Sequence, residues 1–358
     1  MSKNKGASFD NQIVPRNSEL QKESEFLKES LKREFGLNQI LGRSKVVKEL
    51  HEKINKISLC DVNVLISGES GTGKEPAARA IHYLSSRAGK PFIPVNCSAI
   101  PESLFENELF GHVKGAFTDA GLQQIGLVKE SEGGTLFLDE VGVMSPFIQV
   151  KLLRLLQGKE YKPLGDPRPR KADIRIIAAT NRDLQSLIKE GEFREDLFYR
   201  LNIVSLYIPP LRERKEDIPI LVKHFVNKYS KEYNKPIQGV SEDAMRAFIS
   251  YAWQGNIREV ENKIQQIIVM STNSLISSKS VQLALSGLSD PNTKESRFDY
   301  LKATKKKVIE NFERNYLTQL LIEHRGNVVS AAKKAGKSRT GLWNLIKKYD
   351  LSPKQFRS

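Results

Sequence analysis

A largely parallel, three-layer α/β/α fold with a helical subdomain, followed by an all-α terminal module, is the architecture that this sequence predicts. Three observations lead to it. Short apolar strands alternate with helical segments from about Leu41 to Asn181. A glycine-rich turn, GESGTGK at Gly68 to Lys74, joins one of those strands to a helix. The last sixth of the chain combines a helix-turn-helix layout with a strong basic excess.

The bulk numbers set limits on the rest. With 358 residues, 39% hydrophobic and 28% charged, the chain suits two or three soluble domains with buried cores. Its formal charge is +15 and its pI is near 9.6. From Phe298 onward, 14 Lys/Arg face 5 Asp/Glu. A basic terminal module is the footprint of a polyanion partner, most often nucleic acid, the plainer alternative being a solvated face. The two cysteines, Cys60 and Cys97, have neither zinc spacing nor a disulfide framework, which fits a reducing cytosol. His51, His82, His112, His224 and His324 lack metal-ligand spacing and read as surface or packing residues. No apolar run approaches the roughly 18 residues that span a bilayer, and MSKNKGASFD is no signal-peptide core. A cytoplasmic, unanchored protein is expected.

Taken in order, residues 1 to about 16 are polar. Ser18 and Gln21 form a capping-box pair, with Leu20, Leu27, Leu31 and Phe35 at helical spacing behind them. This amphipathic helix is expected both to pack on the next domain and to pair with its copy. A helix at Ser44 to Ile57 leads to the apolar run Val62 to Ile66, the glycine turn and a helix over Glu75 to Leu84. A strand at Phe92 to Val95, a helix near Glu102 to Leu109 and a glycine-punctuated loop at Gly111 to Gly121 follow. TLFL at Thr135 to Leu138 is a strand ending in Asp139 and Glu140. Ser145 then reads as an N-cap with Pro146 at the first helical position. Ile174 to Ala179 is another buried strand, closed by Thr180 and Asn181.

In a parallel sheet ligands gather at the carboxyl ends of the strands. Lys74, Asp139, Glu140 and Asn181 are therefore expected at one edge. Backbone N–H groups of the glycine turn and the Lys74 ammonium suit phosphates. Asp139 can hold magnesium directly or through water, and Glu140 can orient the attacking water, because phosphoryl transfer mostly needs positioning and charge compensation. Glu75 stands where the general phosphate loop has a Ser or Thr for the magnesium.

With those residues in hand, the chain resembles the AAA+ central domain of the bacterial enhancer-binding proteins, the activators of sigma-54 RNA polymerase. The resemblance runs from about Gln39 to Gly287 and resumes in the C-terminal sixth. It rests on GESGTGKE at Gly68 to Glu75, VNCSAI around Asn96, ELFGHVKGAFTDA at Glu108 to Ala120, GGTLFLDEVG at Gly133 to Gly142 and RIIAATNRDL at Arg175 to Leu184. FREDLFYRLN at Phe193 to Asn202, PPLRERKEDIP at Pro209 to Pro219 and WQGNIREVEN at Trp253 to Asn262 complete it.

The resemblance implies a role for each matching position. Gly68, Glu69, Ser70, Gly71, Thr72, Gly73, Lys74 and Glu75 would hold ATP, with Lys74 on its β- and γ-phosphates. Asp139 and Glu140 would be the Walker B pair with Mg2+, and Asn96 the switch partner that restrains Glu140. Thr180 and Asn181 would sense the γ-phosphate. Arg194 and Arg200 would be fingers into a neighbouring subunit, and Arg258 the sensor on the lid. Fingers imply a homo-oligomer, from dimer to hexameric ring. Without the motif, the two arginines would read as surface groups pairing with Glu195 and Asp196. Gly115, Ala116, Phe117 and Thr118 would contact sigma-54, with Phe117 an exposed apolar tip.

The domains expected are a tail and amphipathic helix over 1–38, an α/β ATPase subdomain over 39–211 and a helical lid over 212–285. A linker over 286–298 and a Fis-type helix-turn-helix over 299–358 follow. The segment before the ATPase is too short for a receiver domain. In the last domain Ala331, Ala332 and Ala335 line the first helix, Gly336 turns and Ser338 caps the second. Arg339, Thr340 and Asn344 would face base edges of double-stranded DNA and Lys347 and Lys348 its phosphates.

Four residues depart from the family pattern: Pro76, Asp119, Lys337 and Gly341. Pro76 removes an amide where the family has a phosphate donor, so weak nucleotide binding is expected. Asp119 replaces the usual Gly of the sigma-54 loop, so attenuated or redirected activity is expected. The function expected is a sigma-54-dependent activator that couples ATP hydrolysis to open-complex formation. The alternative is a DNA-binding repressor on the same fold with weak ATPase activity; an unfoldase or clamp-loader relative fits neither the loop nor the terminal module.

Overall fold

A computed structural model of the chain describes residues 29–117, 121–286, 317–324, 326–336, 339–349 and 351–356. The capping box at Ser18 and Gln21, the linker at 287–298, Tyr300, Thr118, Asp119, Lys337 and Ser338 lie outside the described residues. Of the amphipathic N-terminal helix, 29–35 are helical, and Phe35 stacks on Tyr83 with ring centroids 5.0 Å apart.

Five parallel strands make the central sheet: β1 (Val64–Ser67), β2 (Phe92–Asn96), β3 (Thr135–Asp139), β4 (Arg175–Thr180) and β5 (Val204–Tyr207). Their spatial order is β2-β3-β4-β1-β5. Crossovers between parallel strands place helices on both faces, so such strands must be apolar on both sides. The sequence obeys. Leu136 and Leu138 of β3 and Ile176 and Ala178 of β4 enter one core, while Phe137, Ile177 and Ala179 enter the other.

Helices α1 (Lys45–Ser58) and α2 (Lys74–Tyr83) cover the second face through Leu50, Ile54, Ala77 and Ile81. Helices α3 (Glu102–Phe110), α4 (Pro146–Gly158) and α5 (Glu195–Leu201) cover the first through Phe105, Leu109, Ile148, Leu152 and Leu197. Ser44 caps α1 by accepting from the Val47 amide at 3.3 Å. Ser145 occupies the N-cap position of α4 with Pro146 behind it, but the side-chain bond is not made, and its buried hydroxyl finds no partner.

The edge strand β5 has no counterpart in the sequence reading. It is four residues long with only Leu206 fully buried, so neither alternation nor a long apolar run marks it. Two-residue ladders were also silent in the sequence. One pairs Gly111–His112 with Gln124–Ile125 and closes the base of the loop that carries Gly115 to Phe117.

Beyond the sheet come α6 (Ile218–Glu232), α7 (Glu242–Ser250), α8 (Asn256–Met270) and α9 (Ser278–Ser286). Their own core centres on Phe248, Trp253, Val260 and Ile264, with the Trp253 Nε1 donating to the Phe248 carbonyl at 2.7 Å. Chain contacts divide the molecule after Leu285. In the second unit residues 317–323 are helical, followed by α10 (Val328–Lys334) and α11 (Arg339–Lys348). Leu317, Leu321, Ala331, Ala332, Leu342 and Ile346 form its core. Asn327 caps α10, and Gly336 makes the turn at φ +62°. Gly341 is carried inside α11 without a break. No helix among the described residues is long and apolar enough to cross a membrane.

Candidate functional site

Three glycines at positive φ let the loop after β1 curl tightly ahead of α2: Gly68, Gly71 and Gly73. At its centre the Lys74 ammonium is buried, donating to the carbonyls of Gly68 at 3.0 Å and Glu69 at 3.4 Å. The Glu140 Oε1 stands 3.6 Å away. Glu140 itself follows β3 with φ +57°, a left-handed conformation that a non-glycine residue adopts at a cost. That turn aims its carboxylate back across the strand ends, where the Asn181 amide donates to Oε2 at 3.1 Å.

Asp139 accepts the Glu140 amide at 3.0 Å. Burial, and secondarily the neighbouring Glu140 carboxylate, push its carboxyl above the usual range, against the pull of Lys74. Two acids crowded beside one lysine leave room for further positive charge, and an oxygen donor set of this kind fits a magnesium ion. Glu75 does not replace the missing hydroxyl directly, because Arg79 holds its carboxylate at 2.7 Å.

These groups open on a cavity of about 330 Å³ lined by Ser70 to Pro76, Asp139, Glu140 and Arg258. The rest of its lining mixes apolar Ile40, Leu41, Ile208, Leu221 and Ile257 with polar Arg214, His224, Lys228 and Glu261. A cleft with the phosphate loop on one side and apolar side chains among polar ones elsewhere suits a nucleotide, with phosphates on the loop and the base between the entry segment and the lid. A larger cavity of about 470 Å³ lies elsewhere, between Phe110, Lys151, Arg154 and Tyr161, and contains none of the expected groups.

Pro76 sits in the first turn of α2, and Glu75 stays helical in front of it. The orphan N–H of that turn is the one group the ring removes. Thr180 is buried, its hydroxyl facing the Arg182 amide at 3.0 Å, and Asn181 is exposed beside it. Asn96 lies in register with Asp139, yet its Oδ1 accepts from the Ser98 amide at 3.0 Å and hydroxyl at 2.7 Å. Glu140 is restrained by Asn181 and Lys74 instead; the expected pairing with Asn96 is not made in this conformation.

Neither Arg194 nor Arg200 lines the cavity. Both are exposed around α5. Arg194 forks onto Asp196 at 2.7 and 3.0 Å, and the Arg200 guanidinium has no partner among the described residues. Gln149, fully buried in α4, fixes the Arg194 backbone by accepting its amide at 2.8 Å while donating to Met144 and Glu192 carbonyls.

The sequence reading missed how the lid grips the phosphate loop. Arg212 forks onto Glu69 at 2.6 and 2.8 Å. The buried Asn256 donates to Glu69 at 3.2 Å and to the Ser70 carbonyl at 3.0 Å, and accepts the Leu211 amide at 2.8 Å. The Ile257 amide reaches Gly71 at 2.9 Å, Arg214 reaches the Thr72 carbonyl at 2.9 Å, and Arg258 the Ser70 hydroxyl at 3.2 Å. Arg212, and then Asn256, hold the Glu69 carboxyl down to about 2. Asp217 ties the lid to the entry segment, accepting from the Arg43 and Ser44 amides at 2.6 and 2.8 Å. PPLRERKEDIP and WQGNIREVEN hold all of these lid residues, but nothing local in those strings tells which loop they meet.

Gly115 has φ +81°, where a Cβ would meet nothing within 4 Å among the described residues, and Phe117 is 45% exposed, its ring 5.0 Å from that of His112. In the terminal unit Thr340, Asn344 and Lys347 are exposed on α11. Lys348 donates to the Tyr349 hydroxyl at 2.7 Å. Of Arg339, only the helical backbone is described.

Comparison with known proteins agrees with this geometry along the chain. Residues 40–207 match the sigma-54 interaction domain, 212–297 the AAA+ ATPase lid domain and 308–349 the bacterial regulatory proteins of the Fis family. The transcriptional regulatory protein GlrR of Escherichia coli (strain K12) is 44% identical over 318 residues, 89% of this chain and 69% of that protein. The regulatory protein AtoC of the same strain is 43% identical over 358 residues, 96% and 75% respectively. Among solved structures, NtrX from Brucella abortus in complex with ATP superposes with a TM-score of 0.65 at 30% identity, covering 96% of this chain and 77% of that one. A phosphate loop, a lid that clasps it and a basic helix-turn-helix on one chain thus place this protein in the family of sigma-54-dependent transcriptional activators, AAA+ ATPases with a Fis-type DNA-binding domain.

Proposed function

We propose that the chain assembles into a homo-oligomeric ring in the cytoplasm, binds double-stranded DNA at upstream enhancer sites and hydrolyses ATP at the boundaries between subunits to remodel sigma-54 RNA polymerase. The observation that carries the reading is the position of Arg194 and Arg200, exposed and outside the lining of the cavity with Lys74 and Glu140. If Arg194 or Arg200 serves the transition state, it does so at the cavity of a neighbouring copy.

Within one subunit, Gly68 to Glu75 cradle the phosphates and Lys74 neutralises them. Asp139 would hold Mg2+, which would supply charge compensation to the phosphoryl group. Glu140 orients the attacking water once Lys74 and the Asn181 amide release it. Thr180 and Asn181 report the γ-phosphate and Arg258 carries the signal to the lid. Asn96 takes over Glu140 in a different state of the cycle, after leaving Ser98. The loop Gly115, Ala116, Phe117 and Thr118 contacts sigma-54, while α11 with Ser338, Arg339, Thr340, Asn344, Lys347 and Lys348 holds DNA. The ATPase subdomain spans 39–211, the lid 212–285 and the DNA-binding domain 299–358.

The test is turnover per subunit across protein concentrations, run beside open-complex formation with sigma-54 polymerase. Turnover that climbs with assembly, together with promoter melting, is the expected result. Concentration-independent turnover without melting would refute the reading.

A further inference from the structure

The terminal unit carries an aromatic side chain where burial gives no reason for one. On α11, Leu342 and Ile346 are buried in the unit's core, whereas Thr340, Trp343, Asn344 and Lys347 are exposed at helical spacing. These four form one continuous face. Trp343 is 53% exposed at its centre, with polar neighbours one turn away on either side. The other tryptophan, Trp253, is 0% exposed and fills the lid core. Leaving a large ring in water on a helix whose opposite face already builds the core forgoes the burial that usually retains tryptophan.

We propose that Trp343 is a specificity-determining residue of the DNA-binding unit, packing on the C5-methyl group of a thymine in the major groove. The inference rests on the family's DNA binding and adds which base this chain reads. The surroundings fit duplex DNA: the segment from Phe298 onward has 14 basic against 5 acidic residues, and Lys347 lies on the same face of α11. A recognition helix reads base edges with exposed residues of its N-terminal half, where Trp343 lies, and phosphate contacts fix its register. Thymine alone among the bases presents a methyl group in the major groove, and an apolar side chain distinguishes it there. Asn344, the next residue on this face, has the amide that pairs with adenine, so the two side chains together favour an A·T-containing step.

The experiment uses the full chain and a randomised duplex library. Sequences enriched by the wild-type protein are resynthesised with deoxyuridine at each thymine in turn, which removes only the methyl group. At one position affinity should fall roughly five-fold or more. Trp343→Ala should bind the thymine and deoxyuridine duplexes equally, and Trp343→Phe should keep the preference. Emission from Trp343 should change on binding, against the constant signal of Trp253. A wild-type protein insensitive to deoxyuridine at every thymine, or a Trp343→Ala chain that still discriminates, overturns the assignment. Failure of the chain to bind any duplex would instead contradict DNA binding itself.

Discussion

Single residues set the affinity and the acid tolerance of the nucleotide fold. Pro76 removes one of the unpaired N–H groups that open α2, the groups best placed to meet phosphate. A charge-assisted hydrogen bond of this type contributes about 1.5–3 kcal/mol, so Pro76→Leu should lower the ATP dissociation constant by roughly tenfold or more. An unchanged constant would mean that this amide does not reach the nucleotide. His82, on the same helix, is fully buried with its Nδ1 2.8 Å from the Thr135 hydroxyl. Burial first, then the positive charges of Arg175, Arg87 and Arg79, hold its pKa down at about 4 from 6.5. Below pH 6.5 the unfolded chain takes up a proton that the folded chain refuses until about pH 4. The neutral ring's contribution is therefore complete above 6.5 and is lost as pH falls toward 4, an effect on the order of 3 kcal/mol. Urea midpoints measured across that window should fall for the wild type and flatten for His82→Gln.

At the scale of elements, the lid and the phosphate loop behave as one latch. Four consecutive loop residues, Glu69 to Thr72, each accept a bond from the lid. A Cβ on Gly71 would lie 2.4 Å from the Gly255 carbonyl, so the two segments are also in steric contact. Asn256 is the pin: buried, at φ +55°, and bonded to both sides. Asn256→Gly keeps that backbone conformation and removes only the side-chain bonds. It should raise the Michaelis constant for ATP several-fold and lower thermal stability through the unpaired Leu211 amide, and Asn256→Ala should lower stability further, through strain. Wild-type kinetics for Asn256→Gly would sever the latch from catalysis. The β-α alternation was legible because apolar strands in a parallel sheet must be apolar on both faces, and Leu136, Phe137 and Leu138 spell that out. Glycine turn and acidic strand end were legible because they are local strings. The clasp was not, since Glu69 and Asn256 are far apart in sequence and only folding pairs them. Asn96 was assigned to Glu140 by resemblance, and the nearer Ser98 holds it in this conformation because a two-residue turn costs little to close.

For the molecule as a whole, the proposed function makes one subunit an incomplete enzyme. Lys74, Asp139, Glu140 and Arg258 share its cavity, while Arg194 and Arg200 are exposed outside its lining. In the proposed ring such a division would make hydrolysis report assembly, and assembly would let a loop tipped by Phe117 be driven against the polymerase. In the same proposal the basic terminal unit would hold copies together on DNA and raise their local concentration. The most direct measurement is subunit mixing. Glu140→Gln has a dead site but intact fingers, and Arg194→Ala has an intact site but lacks one finger. Each alone should hydrolyse ATP at a small fraction of the wild-type rate. Mixed in equal amounts at assembling concentration, they should exceed the sum of the two separate rates, because Arg194 of one subunit completes the site of the other. A mixture no faster than that sum, or an Arg194→Ala protein as fast as wild type, would contradict a shared active site.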